Sequence, residues 1–319
     1  MKNPKFLTTG MLTGVLVAMT LNAGEPAVIS VGAAVALTPS GEFYQHPVWS
    51  PHDNHLVAVS TSNYRGIYLV SFPDGDIQEL SSADAVGFGM QWSHDGKWIA
   101  GRPARFENKR RYNAVTTYEV SSGEERVITE FSTHMPGTPA WTPDDQFVYL
   151  NGSDHFELLP ASGTSRNLAP HPTGQVNYVL RDVIQNHDLL SNSARSIETV
   201  PGRVLNLTVS PNGEKLAFEI IGGHLWITDV DGTNPIDLGW GNNPAWNQSG
   251  TKLAFTVATD DGHELTSADI FAVNADGSGM VNLTNSTDRL ELHPTWSPDG
   301  QWIAFDTANQ GQIFVLEIR

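Results

Sequence analysis

The sequence predicts an all-β fold, a ring of four-stranded blades forming a β-propeller, and three observations carry that reading. A stretch at 293–305, HPTWSPDGQWIAF, recurs in weaker form along the chain, at 46–59, 89–100, 138–150, 206–219 and 243–256. Each of these six copies has the pattern of a β-hairpin: a short run ending at an aromatic residue or Val, a polar turn with Asp, Asn or Gly, then an apolar run rich in β-formers. The segment after each copy is repeated as well. After 215–219 come HLWITDV at 224–230, a turn at Asp231-Gly232-Thr233 and a short run at 235–238, and the same order returns around Asp269. Four strands over about 40 residues, repeated around a chain, is the pattern of a propeller whose blades bury their faces against one another.

From the N-terminus, Lys2 and Lys5 precede an apolar run at 6–21, and the small residues Ala23 and Gly24 follow. This reads as a secretory signal peptide, residues 1–23, cleaved near Ala23. A membrane anchor fits less well, because Thr8, Thr9 and Thr13 interrupt a run that would need ~20 apolar residues to span. No stable membrane span is expected after cleavage, and with no Cys at the cleavage site no lipid anchor either. Residues 24–319 are then one propeller domain, and without cysteine it must be held by its core alone.

Residues 27–38, AVISVGAAVALT, have no hairpin partner nearby, while the last unit ends on its third strand at 313–318. The run VALT at 35–38 stands before HPVW at nearly the distance that VNLT at 281–284 stands before HPTW. The N-terminal strand therefore supplies the outer strand missing from the last blade and closes the ring. One interval is irregular, from Trp141 to Val209, and leaves 171–202 over. Read as a compact blade with strands at 176–179, 183–186, 188–192 and 196–200, it makes the count seven; read as a two-stranded excursion, it leaves six. Seven is the preferred count.

The string PxWSPDGxxIAF at 294–305, followed by a strand, a DG turn and a short strand, resembles the TolB-type propeller repeat, and the resemblance covers nearly the whole mature chain. It extends to the propeller only, without the α/β domain that precedes it in TolB. It implies a periplasmic or secreted propeller that binds something, most commonly a protein, on a face of the ring. As a guide to activity it is weak, since one superfold carries many functions.

The formal charge of −17 comes from 35 acidic against 18 basic residues. With the basic residues scattered, nucleic acid is not an expected partner, because duplex binding rests on clustered Lys and Arg. Trp49, Trp92, Trp141, Trp246 and Trp296 recur at one position of the repeat and are assigned to packing between blades. The SPDG-type turns, and the DG turns at 231–232 and 276–277, are assigned to turn chemistry rather than calcium, since none has the spaced ligands of an EF-hand loop.

Chemistry is better sought where the repeats differ at a fixed position. Three residues before the motif aromatic stand His46, Gly89, Thr138, Asn206, Asn243 and His293. If the first strand of each blade is innermost, as in TolB-like propellers, these residues ring one mouth of the channel, and closure makes the blades of His46 and His293 neighbours. His46, Thr138, Asn206, Asn243 and His293 are the candidate ligand-binding residues, with His46 and His293 the ligands of any metal. No cofactor is specified by the sequence. The competing explanation is that His before Pro merely caps a strand. His52 and His94 fall in hairpin turns, His155 and His224 open third strands, and His134 and His171 lie in loops before inner strands. No GxSxG elbow or HExxH helix is present. Two functions stay open: a non-catalytic module binding a protein or carbohydrate ligand, and a polysaccharide-active, lyase-like enzyme with a His-containing site at the channel mouth.

Overall fold

Seven blade sheets succeed one another in the computed structural model of the chain, which describes residues 31–134, 137–151, 156–163 and 173–319. The signal-peptide assignment and two of the histidines, His155 and His171, lie outside the described residues. Blade 1 consists of Gln45–Trp49, Leu56–Thr61, Arg65–Ser71 and Ile77–Ser81. Blade 2 consists of Gln91–Trp92, Trp98–Gly101, Thr116–Glu119 and Glu125–Val127. The described strands of blade 3 are Thr138–Trp141, Phe147–Asn151 and Phe156–Pro160; those of blade 4 are Gln175–Leu180, Val183–Asp188 and Ser193–Ile197. Blade 5 has Val204–Val209, Lys215–Ile220, Leu225–Asp229 and Ile236–Asp237; blade 6 has Asn242–Trp246, Lys252–Asp260, Leu265–Asn274 and Val281–Asn282.

Blade 7 is built from both ends of the chain. To Glu291–Trp296, Trp302–Thr307 and Ile313–Glu317 it adds the strand Val35–Ala36, paired antiparallel with Val35 opposite Val315. The closure inferred from the complementary ends is therefore present. Leu37 N–H donates to the Ile313 carbonyl at 2.7 Å, and the Thr38 hydroxyl accepts from Ile313 N–H at 2.9 Å.

Two details differ from the sequence reading. In blade 4 residues 189–192 form the turn between the second and third strands, and the third strand is Ser193–Ile197, so strands assigned at 188–192 and 196–200 merge into one. The apolar alternation there is too weak to fix a register. A two-stranded excursion does exist, but in blade 2: Ala104–Glu107 and Arg110–Asn113 form a separate hairpin between its second and third strands. The basic residues are accordingly not scattered throughout, since five of the 18 fall between Arg102 and Arg111.

The core is divided among the blade interfaces rather than gathered at one centre. Trp49, Val57 and Val59 pack with Ala304, Ile313 and Val315 across blades 1 and 7; Trp296 packs with Ala254 and Ile270 across blades 7 and 6; Trp92 packs with Ala58 and Leu69 across blades 2 and 1. The recurrent tryptophans are buried in these interfaces. Three of their five indole N–H groups reach the neighbouring blade: Trp92 donates to the Val48 carbonyl at 3.0 Å, Trp141 to Gln91 at 3.0 Å and Trp296 to Ala245 at 3.1 Å, while Trp49 donates to Asp53 in its own turn. A large apolar body with one polar tip suits an interface in which the facing backbone has a carbonyl to spare. The SPDG turn closes on itself, with Ser297 Oγ donating to Asp299 and accepting from Trp302 N–H at 2.9 Å.

All pairings within the blades are antiparallel. The start of each first strand, the end of each second strand and the loop between second and third strands therefore lie on one edge of the ring. The SPDG and DG turns lie on the opposite edge.

Candidate functional site

At the first of these edges, here called the mouth, the inner strands bulge. Pairing slips between Gln45 and Val48, Leu205 and Thr208, Asn242 and Ala245, and Leu292 and Thr295. The residue at each slip is one predicted from the repeat, and its φ is positive: 52° at His46, 47° at Asn206, 54° at Asn243 and 51° at His293, with Gly89 at 64° in blade 2. The left-handed region excludes β-branched side chains and is entered most readily by Gly and, among other residues, by Asn, Asp and His. Thus the limited variety at this position has a backbone cause. Thr138, β-branched, stands where blade 3 pairs without a slip, its Cγ2 within 2.7 Å of where a Cβ on Gly89 would lie.

The predicted residues gather in pairs across blade boundaries, not in one cluster. His46 of blade 1 stacks on His293 of blade 7, ring centroids 3.6 Å apart and planes tilted by 34°. Asp306, almost fully buried at the end of the second strand of blade 7, links the two residues. One of its oxygens faces His293 Nδ1 at 2.9 Å, and the other accepts the backbone N–H of His46 at 3.0 Å. Burial, the first cause, and the adjacent His293 push the His46 imidazole down to about 4, against the opposing pull of Asp306. Stacked faces do not aim two ring nitrogens at one point, which is poor geometry for a shared metal ion.

Blades 5 and 6 repeat the device. Glu219, buried at the same place in blade 5, accepts from Asn206 Nδ2 at 2.8 Å, from the backbone N–H of Asn243 at 2.7 Å and from Asn242 Nδ2 at 2.9 Å. In both cases a carboxylate holds the bulge of its own blade through a side chain and the bulge of the next blade through its backbone. Asp306 and Glu219 are not singled out by the sequence reading. A signal for them exists: counted from the residue opposite the motif aromatic or Val, the third position is polar in all six motif copies, at Ser60, Arg102, Asn151, Glu219, Thr256 and Asp306, and His187 holds the corresponding place on the second strand of blade 4.

No known family profile matches the sequence, and no curated protein does. Among solved structures, the chain is similar to a protein described as TolB from Agrobacterium tumefaciens, with a TM-score of 0.53 at 18% identity over 87% of this chain and 91% of that one. The fold is that of a TolB-like propeller. A chain of a mitotic checkpoint complex superposes with a TM-score of 0.60 at 16% identity over 98% of both chains, and TolB from Acinetobacter baumannii gives 0.47 at 15% identity over 88% of this chain and 66% of that one.

In this TolB-like propeller the mouth extends from the histidine pair toward blade 2 through touching rings. Tyr64 lies 4.9 Å from His46 between centroids, Phe88 lies 4.8 Å from Tyr64, and the Arg102 guanidinium stands 4.8 Å over Phe88. Burial, and then the charge of Arg111, make the Arg102 cation less favourable than usual. A cavity of 200 Å³ opens at the mouth edge of blade 4, lined by Gln175, Asn186, Asp188, Ser193 and Arg195. Of the six most exposed large hydrophobic residues, five lie at this edge: Leu190, Phe106, Trp240, Phe43 and Ile221. The sixth, Val35, is on the outer strand of blade 7, and among the described residues the opposite edge carries the less exposed Val183, Met280 and Val31. Of the other described histidines, His94 contacts Asp145 at 2.8 Å across the turns of blades 2 and 3 on the opposite edge, whereas His224, in the loop between the second and third strands of blade 5, contacts Asp237 at 2.8 Å at the mouth edge. Among the described residues no helix is long and apolar enough to cross a membrane.

Proposed function

We propose that this chain is an exported, non-catalytic module of the cell envelope whose mouth edge binds a protein partner, with His46, Thr138, Asn206, Asn243 and His293 on the rim of the contact. The observation that supports it is the segregation of the most exposed apolar side chains to the mouth edge, because a face that concentrates exposed apolar surface is suited to contact with a partner. Fixed bulges and paired carboxylates hold that rim rigid, which lowers the ordering cost of association. The charged N-terminal segment and apolar run at 6–21 support export with cleavage near Ala23. Photo-crosslinking residues placed singly at Phe106, Trp240, Val183 and Met280 in producing cells test the reading. The two mouth positions should crosslink to one and the same polypeptide and the two opposite positions to none; equal crosslinking from both edges would refute it. N-terminal sequencing of the protein recovered from outside the cytoplasm should begin after Ala23.

A further inference from the structure

Resting on that reading, we infer that the blade 2 hairpin is the anchor for an acidic segment of the partner, with Phe106 as its apolar contact. The hairpin is extra to the repeat, so the blade does not require it. It is nevertheless built firmly. Its turn residues Asn108 and Lys109 have φ of 49° and 63°, the left-handed pair of a two-residue hairpin turn. Its first strand is tied to the loop before blade 2, Ala104 N–H donating to the Asp84 carbonyl at 2.8 Å, and its second to the loop before blade 3 by reciprocal bonds between Asn113 and Ser132 at 2.8 and 3.0 Å.

The hairpin carries Arg105, Lys109, Arg110 and Arg111 against one acid, Glu107, in a protein whose net charge is −17. Some of that charge is committed. Arg105 pairs with Glu107 at 3.2 Å and lies 4.4 Å over the Phe131 ring, while Arg111 donates to Asn113 at 2.8 Å. Lys109 and Arg110 are exposed and have no ion pair among the described residues, and Phe106 beside them is 64% exposed. A strand of four residues reaches ~13 Å, beyond the screening length of ~8 Å at physiological salt. A segment touching the tip therefore meets the local positive charge rather than the acidic body.

An extended polyanion fits less well than a peptide. On the same edge, the blade 6 hairpin of Lys252–Asp260 and Leu265–Asn274 presents exposed Asp260, Asp261 and Glu264. An anionic bilayer or a duplex laid across the mouth would meet these carboxylates, whereas one segment of a folded protein can engage the blade 2 side alone.

The test uses the full chain and a fluorescent twelve-residue peptide of Asp and Glu with one central Phe, compared with a Lys peptide of the same length, a twelve-nucleotide single-stranded DNA and vesicles containing anionic phospholipid. The acidic peptide should bind at least tenfold more tightly than each comparator. Its affinity should fall at least tenfold in the K109E/R110E double variant and severalfold in F106S, with thermal unfolding of both variants unchanged. Loss of less than twofold in the double variant, or equal binding of the Lys peptide, would overturn the inference, and equal binding of DNA or vesicles would overturn its assignment to a protein. In cells, crosslinks from position 106 that map to a neutral or basic segment would defeat this inference alone, whereas absence of crosslinks from the whole mouth edge would defeat the function on which it rests.

Discussion

Acidification should weaken the ring at the joint between blades 1 and 7, by an amount set by one side chain. His46 is held down to about 4 in the folded protein, chiefly by burial and then by His293, and returns to about 6.5 when unfolded. Between those values the unfolded chain binds a proton that the folded chain does not, so stability rises with pH across the window and is lost as pH falls through it. At pH 4.5 the linkage relation gives a loss of about 2.5 kcal/mol relative to neutral pH. The reference is His46→Asn, which removes the imidazole but keeps a residue at ease with the φ of 52°. Denaturant unfolding at pH 7.5 and 4.5 should show wild type losing about 2.5 kcal/mol more than the variant, since the carboxylates that titrate nearby are common to both. Equal losses would show that His46 is not buried against His293 as described.

Three further outcomes are expected. Glu219→Ala should lower stability by about 2–4 kcal/mol, because Asn206, Asn242 and the Asn243 N–H lose their acceptor together; a change in unfolding midpoint equivalent to less than 0.5 kcal/mol, roughly a neutral surface substitution, would count against the clamp. Trp296→Ala should cost ~3–5 kcal/mol, and Trp296→Phe should cost about 1 kcal/mol more than Trp246→Phe, since the Trp246 indole N–H has no partner to lose among the described residues. Removing residues 31–38 should leave Ile313–Glu317 as an unpaired edge and promote aggregation, so a truncated chain that elutes as the intact chain does, with an unchanged melting temperature, would contradict closure by this strand.

The architecture is legible because a propeller writes its fold repeatedly: six hairpins in register, and two ends each lacking what the other supplies, leave little choice of topology. The meeting of His46 and His293 follows from that closure alone. Its cause does not. Read as variation free of structural demand, the set His, Gly, Asn, Asn, His resembles a binding site, yet four of the slipped positions and Gly89 share a left-handed backbone that favours just those residue types. A bulge is invisible in a hydrophobic pattern, because it shifts the register without changing the alternation on either side. Asp306 and Glu219 escape for a related reason: each ends an apolar run and reads as the first residue of a loop, and only the neighbouring blade shows what it holds. Blade 4 reads with one strand too many because Asp188 to Asn192 offers no clean alternation to place a strand end.

Because the seventh blade takes strands from both ends of the chain, the ring is finished late. During synthesis residues 31–38 emerge early and have no strand to join until Ile313–Glu317 is made, Thr38 and Ile313 being 275 positions apart. Closing a loop of that length carries an entropic penalty of about 5 kcal/mol, to be offset at a single step by the joint itself. Until then Trp49, Val57 and Val59 of blade 1 face solvent in place of Ile313 and Val315. Any partly folded state that precedes this step is an open arc with one apolar flank bare, the kind of transient exposure that makes folding intermediates prone to aggregate, and the contacts that join blade 1 to blade 7 are what end it.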